Sequence, residues 1–372
     1  MNFGFTAEQD ILRSGARKFL DENAPMERVR KIVESDDGFD RGLWRRMGEM
    51  GWIGLALPEE LGGAGADLVT LVVVLEETGR TLFPSPLVST VLAGDAIEGG
   101  GNEEQRQRWL PSIADGSRIA TLAFLEEEDR HDPDGVKLTA ERRGEGFALA
   151  GRKLFVPDAG VADLFVVAFR SGGELRLGVI ERAARGVTVV AHPSLDPTKR
   201  VGTVSFDGAV IPEADVLAAP QGGERLFERL LDVGAMLVTA EAIGAAEGAL
   251  RLTTEYARTR VQFGSAIGRF QGVKHPLAEA YVDIESFKSL LYYAAWALDH
   301  DAVDAPLAVS RAKAYAAECF PRQGVDAVQL HGGIGYTWEY DAQLYLKRSK
   351  WFRPAFGDAE HHYERIVALG GI

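Results

Sequence analysis

Along the first third of the chain, apolar residues recur every three or four positions, with polar residues filling the gaps. Ile11, Leu12, Phe19 and Leu20 form one such stripe, and Leu43, Trp44 and Met47 begin another that stops at Gly51. That spacing predicts amphipathic helices. Thr6, followed three positions later by Gln9, has the pattern of an N-cap and capping box for the first helix. Pro58 and glycines 62, 63 and 65 predict a loop, followed by a helix over about 68–82 and another over 101–116. Residues 1–116 are therefore expected to form a helical domain. The glycine loop lacks the makings of a phosphate cradle, because no strand precedes it and no Gly-Lys-Ser/Thr follows.

The period then shortens. Runs rich in Val, Leu and Phe at 119–124, 147–150, 153–156, 164–169, 175–180, 187–190 and 201–206 are separated by glycine, proline and aspartate turns. Short strands at this spacing, with no helix between them, predict an antiparallel sandwich or barrel over 117–220. Helical spacing returns over 221–372, where Leu277, Tyr281, Ile284, Phe287 and Leu291 line one face of a helix suited to a four-helix bundle. An acidic linker at 299–304 precedes a further helix, with Pro306 in its first turn. The expected architecture is a multidomain α+β chain whose two helical regions flank a β-domain in sequence.

Composition narrows the function. The 372 residues are 46% hydrophobic and 26% charged, which sets aside disordered and fibrous classes. A formal charge of -14 supplies no basic field to displace counterions from nucleic acid. The one cysteine, Cys319, lies in a helical stretch and cannot form an intramolecular disulfide, so a reducing, cytoplasmic setting is expected. The N-terminal residues mix charges at helical spacing rather than forming a signal sequence, and no run of apolar residues long enough to span a membrane is read. No metal is expected. No HExxH or CxxC occurs, and the adjacent His361 and His362 read as surface residues at a helix start.

Candidate chemistry concentrates at 255–271, EYARTRVQFGSAIGRFQ, where a long helix gives way to a second one through Phe263, Gly264 and Gly268. Arg260 offers a fork of donors suited to phosphate, Phe263 a flat apolar face and Gln271 a donor and an acceptor. From these residues alone, the stretch reads either as part of a nucleotide-cofactor site or as a plain glycine-containing helix corner. His331-Gly332-Gly333 is likewise either a close approach of backbone to a ligand or a helix C-cap.

The wording ARTRVQFGSAIGRFQ resembles the flavin-contacting helix turn of the acyl-CoA dehydrogenase family. Three further stretches are similar to that family in the same order: PEELGGAG at 58–65, KLFVPDAGVADLFVVAF at 153–169, and Gln329 with Gly332, Gly333 and Gly335. The α–β–α order is also the family's. The resemblance implies FAD, contacted by Arg260, Phe263, Phe270, Gln271 and Phe155, with Gln329, Gly332 and Gly333 touching the adenine-dinucleotide half held by a neighbouring subunit. It implies an acyl-CoA substrate, α,β-dehydrogenation, an electron-transfer flavoprotein as acceptor, and an oligomer, either a homodimer or tetramer or a heteromer with a second such subunit.

The chain departs from that family's pattern in two places. Where members carry a Thr-Glu-Pro-type loop, this sequence reads FLEEEDRHDPDG, and glutamates 126–128 read as a solvated loop. Phe155 and Pro157 stand where many members have Trp and Thr, so Phe155 is either part of the flavin wall or a core aromatic. The family's C-terminal catalytic glutamate is replaced by Phe356, in Phe356-Gly357-Asp358, and the alternative glutamate position in the long helix falls at or beside Gly234. Glu241, Asp232 and Asp358 are the candidate proton-abstracting carboxylates, and Asp358 alternatively bonds the flavin. Two other readings stay open: a catalytically incomplete subunit of a heteromer, and a flavin monooxygenase or nitroalkane-oxidase-like enzyme on the same scaffold.

Overall fold

The computed structural model describes residues 5–371. Helices α1 (Ala7–Asn23), α2 (Met26–Val33), α3 (Arg41–Glu49), α4 (Leu68–Arg80), α5 (Leu87–Gly100) and α6 (Glu103–Ala114) come first. Strands β1 (Ala120–Ala123), β2 (Ala140–Arg143), β3 (Gly146–Pro157), β4 (Leu164–Ser171), β5 (Glu174–Glu181), β6 (Val187–His192) and β7 (Val201–Pro212) follow. Then come α7 (Gly223–Thr259), a short hairpin of β8 (Val261–Gln262) and β9 (Ser265–Ala266), α8 (Gln271–Asp299), α9 (Ala305–His331), α10 (Ala342–Phe352) and α11 (Ala359–Ala368). This is the multidomain α+β architecture the sequence pattern predicts. The predicted capping box at Thr6 forms, with Gln9 reciprocating.

The chain divides into two compact units. One comprises 32–66 and Pro84–Gly234; the other comprises the described residues up to Lys31, Asp67–Phe83, and those from Ala235 onward.

The first of these carries two sheets, ordered β1-β4-β5 and β2-β3-β7-β6. Every pairing between these strands is antiparallel except β1 with β4. The sheets pack through Phe147 and Phe169, whose rings lie 5.7 Å apart, and through Gly178, where a Cβ would sit 2.9 Å from the Ile211 side chain. Two expected runs, 147–150 and 153–156, are one strand, β3, whose ladder to β7 is interrupted twice. The polar edge strand β2 and the helix α5 had no signal in the sequence pattern. Helix α5 is apolar on nearly every side and buried, so it has no stripe for a periodicity to find.

In the helical unit, α4 and α7 approach backbone to backbone. A Cβ at Gly79 would collide with the Glu241 carbonyl, one at Gly244 with the Glu76 carbonyl, and one at Gly248 would lie 2.5 Å from the Arg80 carbonyl. Buried charges knit α1, α4 and α8. Arg13 pairs with Glu76 at 2.9 Å, the Tyr292 hydroxyl donates to Glu76 at 2.5 Å, and Arg80 bonds both Glu77 and Asp21 at 2.8 Å. Burial pushes the Glu76 carboxyl up to about 7. Helix α7 is long and apolar enough to cross a membrane, but 89% of its apolar window is buried inside the protein.

Candidate functional site

The corner after α7 is built by a two-residue hairpin. Val261 pairs with Ala266 and Gln262 with Ser265, leaving Phe263 (φ 52°) and Gly264 (φ 76°) as the turn. A two-residue hairpin of this hand needs positive φ at both positions, which glycine adopts freely and phenylalanine only under strain. Phe263 is nonetheless 93% exposed, with only the edge of Phe270 against it, at 6.1 Å, among the described residues. The backbone of Arg260 is fixed on both sides: its amide donates to Tyr256 at 2.8 Å, and its carbonyl accepts from the Ile267 amide at 2.9 Å. Its exposed guanidinium has no hydrogen bond or ion pair among the described residues. Gln271 is exposed in the first turn of α8.

The same end of the unit holds the Gly332 turn. The His331 ring, at the end of α9, lies 4.5 Å from Tyr256 in the last turns of α7 and 4.8 Å from Tyr340. Its Nδ1 bonds the Ala327 carbonyl at 2.6 Å, which places the ring hydrogen on that nitrogen. This stack around the buried His331 joins the Arg260 corner to the Gly332 turn, a role the sequence did not reveal. Gln329, Gly332 and Gly333 are exposed. A Cβ at Gly333 would meet nothing within 4 Å, so the space in front of this turn is open; Gly335, whose Cβ would lie 2.5 Å from the Val328 carbonyl, instead serves the turn's own packing.

In the β-unit, Phe155 is not a core aromatic. It is 58% exposed with φ 48°, inside the gap where β3 leaves β7 between Lys153 and Val156. The neighbouring acidic loop corrects a second expectation, since Glu126 is not solvated. Its Oε1 accepts the amides of Lys137 and Leu138 at 3.0 Å each and the fully buried Lys153 ammonium at 2.6 Å. Glu127 and Glu128 are exposed.

The Phe356-Gly357-Asp358 segment is closed. Phe356 is buried at φ 57°. Beneath it lies Lys313, whose Nζ donates to the carbonyls of Phe352 (3.3 Å), Arg353 (3.0 Å) and Gly357 (2.8 Å). Burial pushes this ammonium down to about 7. His362, expected at the surface, is buried because its Nε2 donates to the Phe356 carbonyl at 3.0 Å, and burial followed by the Lys313 charge keeps the ring neutral. Asp358 caps α11, its Oδ1 accepting the His361 amide at 3.0 Å. Glu241 and Asp232 are buried along α7. At 1.5 Å per residue, Glu241 lies about 28 Å along the helix from Arg260. The corner residues are therefore brought together with the Gly332 turn, whereas Glu241 is not.

An exposed, strained aromatic, a guanidinium without a partner among the described residues and an open glycine turn thus gather at one end of the helical unit. The family models for the acyl-CoA dehydrogenase N-terminal and C-terminal domains match residues 6–117 and 221–369. Acyl-CoA dehydrogenase IpdE2 of Mycolicibacterium smegmatis is 33% identical over 364 residues, 97% of this chain and 98% of that one. Among solved structures, the ChsE4-ChsE5 complex from Mycobacterium tuberculosis superposes with a TM-score of 0.92 at 30% identity, covering 100% of this chain and 99% of that one. The glutaryl-coenzyme A dehydrogenase glutaryl-CoA complex does so at 0.93 and 25%, covering 100% and 96%. The chain belongs to the acyl-CoA dehydrogenase family, whose members are FAD-dependent flavoproteins, and it is an oxidoreductase acting on CH–CH groups. The outward guanidinium, aromatic and amide at 260–271 fit such a group chemically: a cation for phosphate, unpaired among the described residues, and a flat face for a ring with only the edge of Phe270 near it.

Proposed function

We propose that this protein carries out α,β-dehydrogenation of an acyl-CoA thioester and passes the electrons to an electron-transfer flavoprotein, as a cytoplasmic oligomer. The observation that carries this reading is Phe263, strained and 93% exposed beside an unpaired Arg260. Arg260, Phe263, Phe270 and Gln271 would hold FAD together with Gln329, Gly332 and Gly333, and Phe155 would line its ring. When bound, the flavin accepts a hydride equivalent from the substrate. This chain's task is then to orient the thioester and remove a proton. Asp358 is engaged as a helix cap, which leaves Glu241 or Asp232 as the carboxylate within this chain.

A second reading is favoured by the closed Phe356 segment. Phenylalanine accepts no proton, and the other position where the family places its base falls at or beside Gly234, so an unlike partner subunit would supply the carboxylate. The test is to prepare the chain alone and co-expressed with such a partner, and to titrate both anaerobically with short, branched and ring-bearing CoA esters. Bleaching of the flavin band by the chain alone supports the first reading, and bleaching only in the mixed assembly supports the second. Failure to retain FAD in any assembly defeats both. Undiminished bleaching in E241Q removes Glu241 from the chemistry.

A further inference from the structure

We infer that Lys153 is a positioning residue which, with Glu126, holds the break in β3 so that Phe155 faces outward toward the flavin. The inference rests on the reading of Phe155 as part of the flavin wall.

Strand β3 pairs Lys153 with Val204 and Val156 with Gly202, so Leu154 and Phe155 together face the single residue Thr203. A bulge of this kind redirects a side chain, and here it puts a large apolar ring in solvent at φ 48°. Backbone strain of this sort persists only where surrounding contacts over-determine it. Those contacts are specific. The Leu154 amide, released from β7, donates to the Leu125 carbonyl at 2.8 Å. Lys153 Nζ donates to the Phe124 carbonyl at 3.1 Å and to Glu126 Oε1 at 2.6 Å, and that same oxygen anchors the amides of Lys137 and Leu138. Phe124, Leu125 and Glu126 are thus each tied to 153–154. A fully buried ammonium is an expensive brace for a surface loop, which makes the fixed direction of Phe155 its natural return.

The experiment compares wild type, K153M, K153R and the charge-free K153M/E126Q in whichever assembly retains FAD. Glutamine keeps the amide acceptor and leaves no unpaired buried charge, so the double variant is expected to lose less melting temperature than K153M. Three quantities are read: melting temperature, hydrogen exchange of 123–128 and 152–157 without ligand, and FAD affinity. The expected result is faster exchange confined to those two segments and FAD binding weakened about tenfold in K153M/E126Q, with K153R recovering most of the affinity. Unchanged FAD affinity and unchanged exchange at 152–157 in a folded variant overturn the inference alone. So does faster exchange with unchanged affinity, because the brace would then serve the loop and not the ligand. A wild-type protein that binds no FAD in any assembly overturns the flavin-wall reading itself.

Discussion

Among its described residues, the helical unit carries the dipeptide Phe-Gly in left-handed conformation twice, with opposite surroundings. Phe263-Gly264 (φ 52° and 76°) stands 93% exposed at a hairpin tip, whereas Phe356-Gly357 (φ 57° and 94°) is 9% exposed over Lys313 and His362. At the second site the strain is answered from within, by a lysine that satisfies three carbonyls and a histidine that binds a fourth. At the first, among the described residues, only the edge of Phe270 stands against it. Equal backbone strain therefore has two meanings, and burial tells them apart: the covered pair is part of the fold's own integrity, and the bare pair is the one we propose meets FAD.

The sharpest way to break that contrast is K313M. It leaves three buried carbonyls without their donor and should cost about 3 kcal/mol or more in urea unfolding. Its pH dependence has a definite sign. Lys313 is depressed to about 7 in the folded protein, against an ordinary value of 10.5. The unfolded chain alone therefore holds that proton between those limits, and wild-type stability gains from this group as pH rises through the window. In K313M that gain should vanish. Next in size is R260A/F263A, expected to weaken FAD binding about thirtyfold, roughly 2 kcal/mol, without lowering the melting temperature. A matching loss of stability would mean that the bare pair is structural after all.

Smaller effects separate neighbouring glycines. Gly332 has φ 64° and ψ -144°, a region for glycine alone, so G332A should cost about 1–3 kcal/mol of stability. G333A meets open space and should leave stability unchanged while lowering FAD affinity. Smallest is F263G, which relieves the turn and should stabilise the apoprotein by about 1 kcal/mol while loosening FAD. No stabilisation there would indicate that the hairpin is not strained.

Much of this was legible from the pattern of residues. Stripes such as Ile11, Leu12, Phe19 and Leu20 announce helices because only one face is apolar, and α5 stayed hidden because nearly all of its faces are. The Arg260 corner was readable because its residues are close in sequence. What could not be read was whatever depends on side chains distant in sequence. Glu126 looks like any member of an acidic run until Lys153 is found beneath it, and His362 looks exposed until the Phe356 carbonyl and Lys313 close over it. Phe155 could be core or surface, and a bulge that only strand pairing reveals decided between them.

The contacts of Gly79, Gly244 and Gly248 carry one more consequence. With main chain touching main chain, the gap between α4 and α7 is set by peptide geometry and not by the volume of any interposed group. Repacking elsewhere in the helical unit can change what surrounds the two rods without changing their separation. Substitutions can therefore accumulate nearby while this ruler keeps its length.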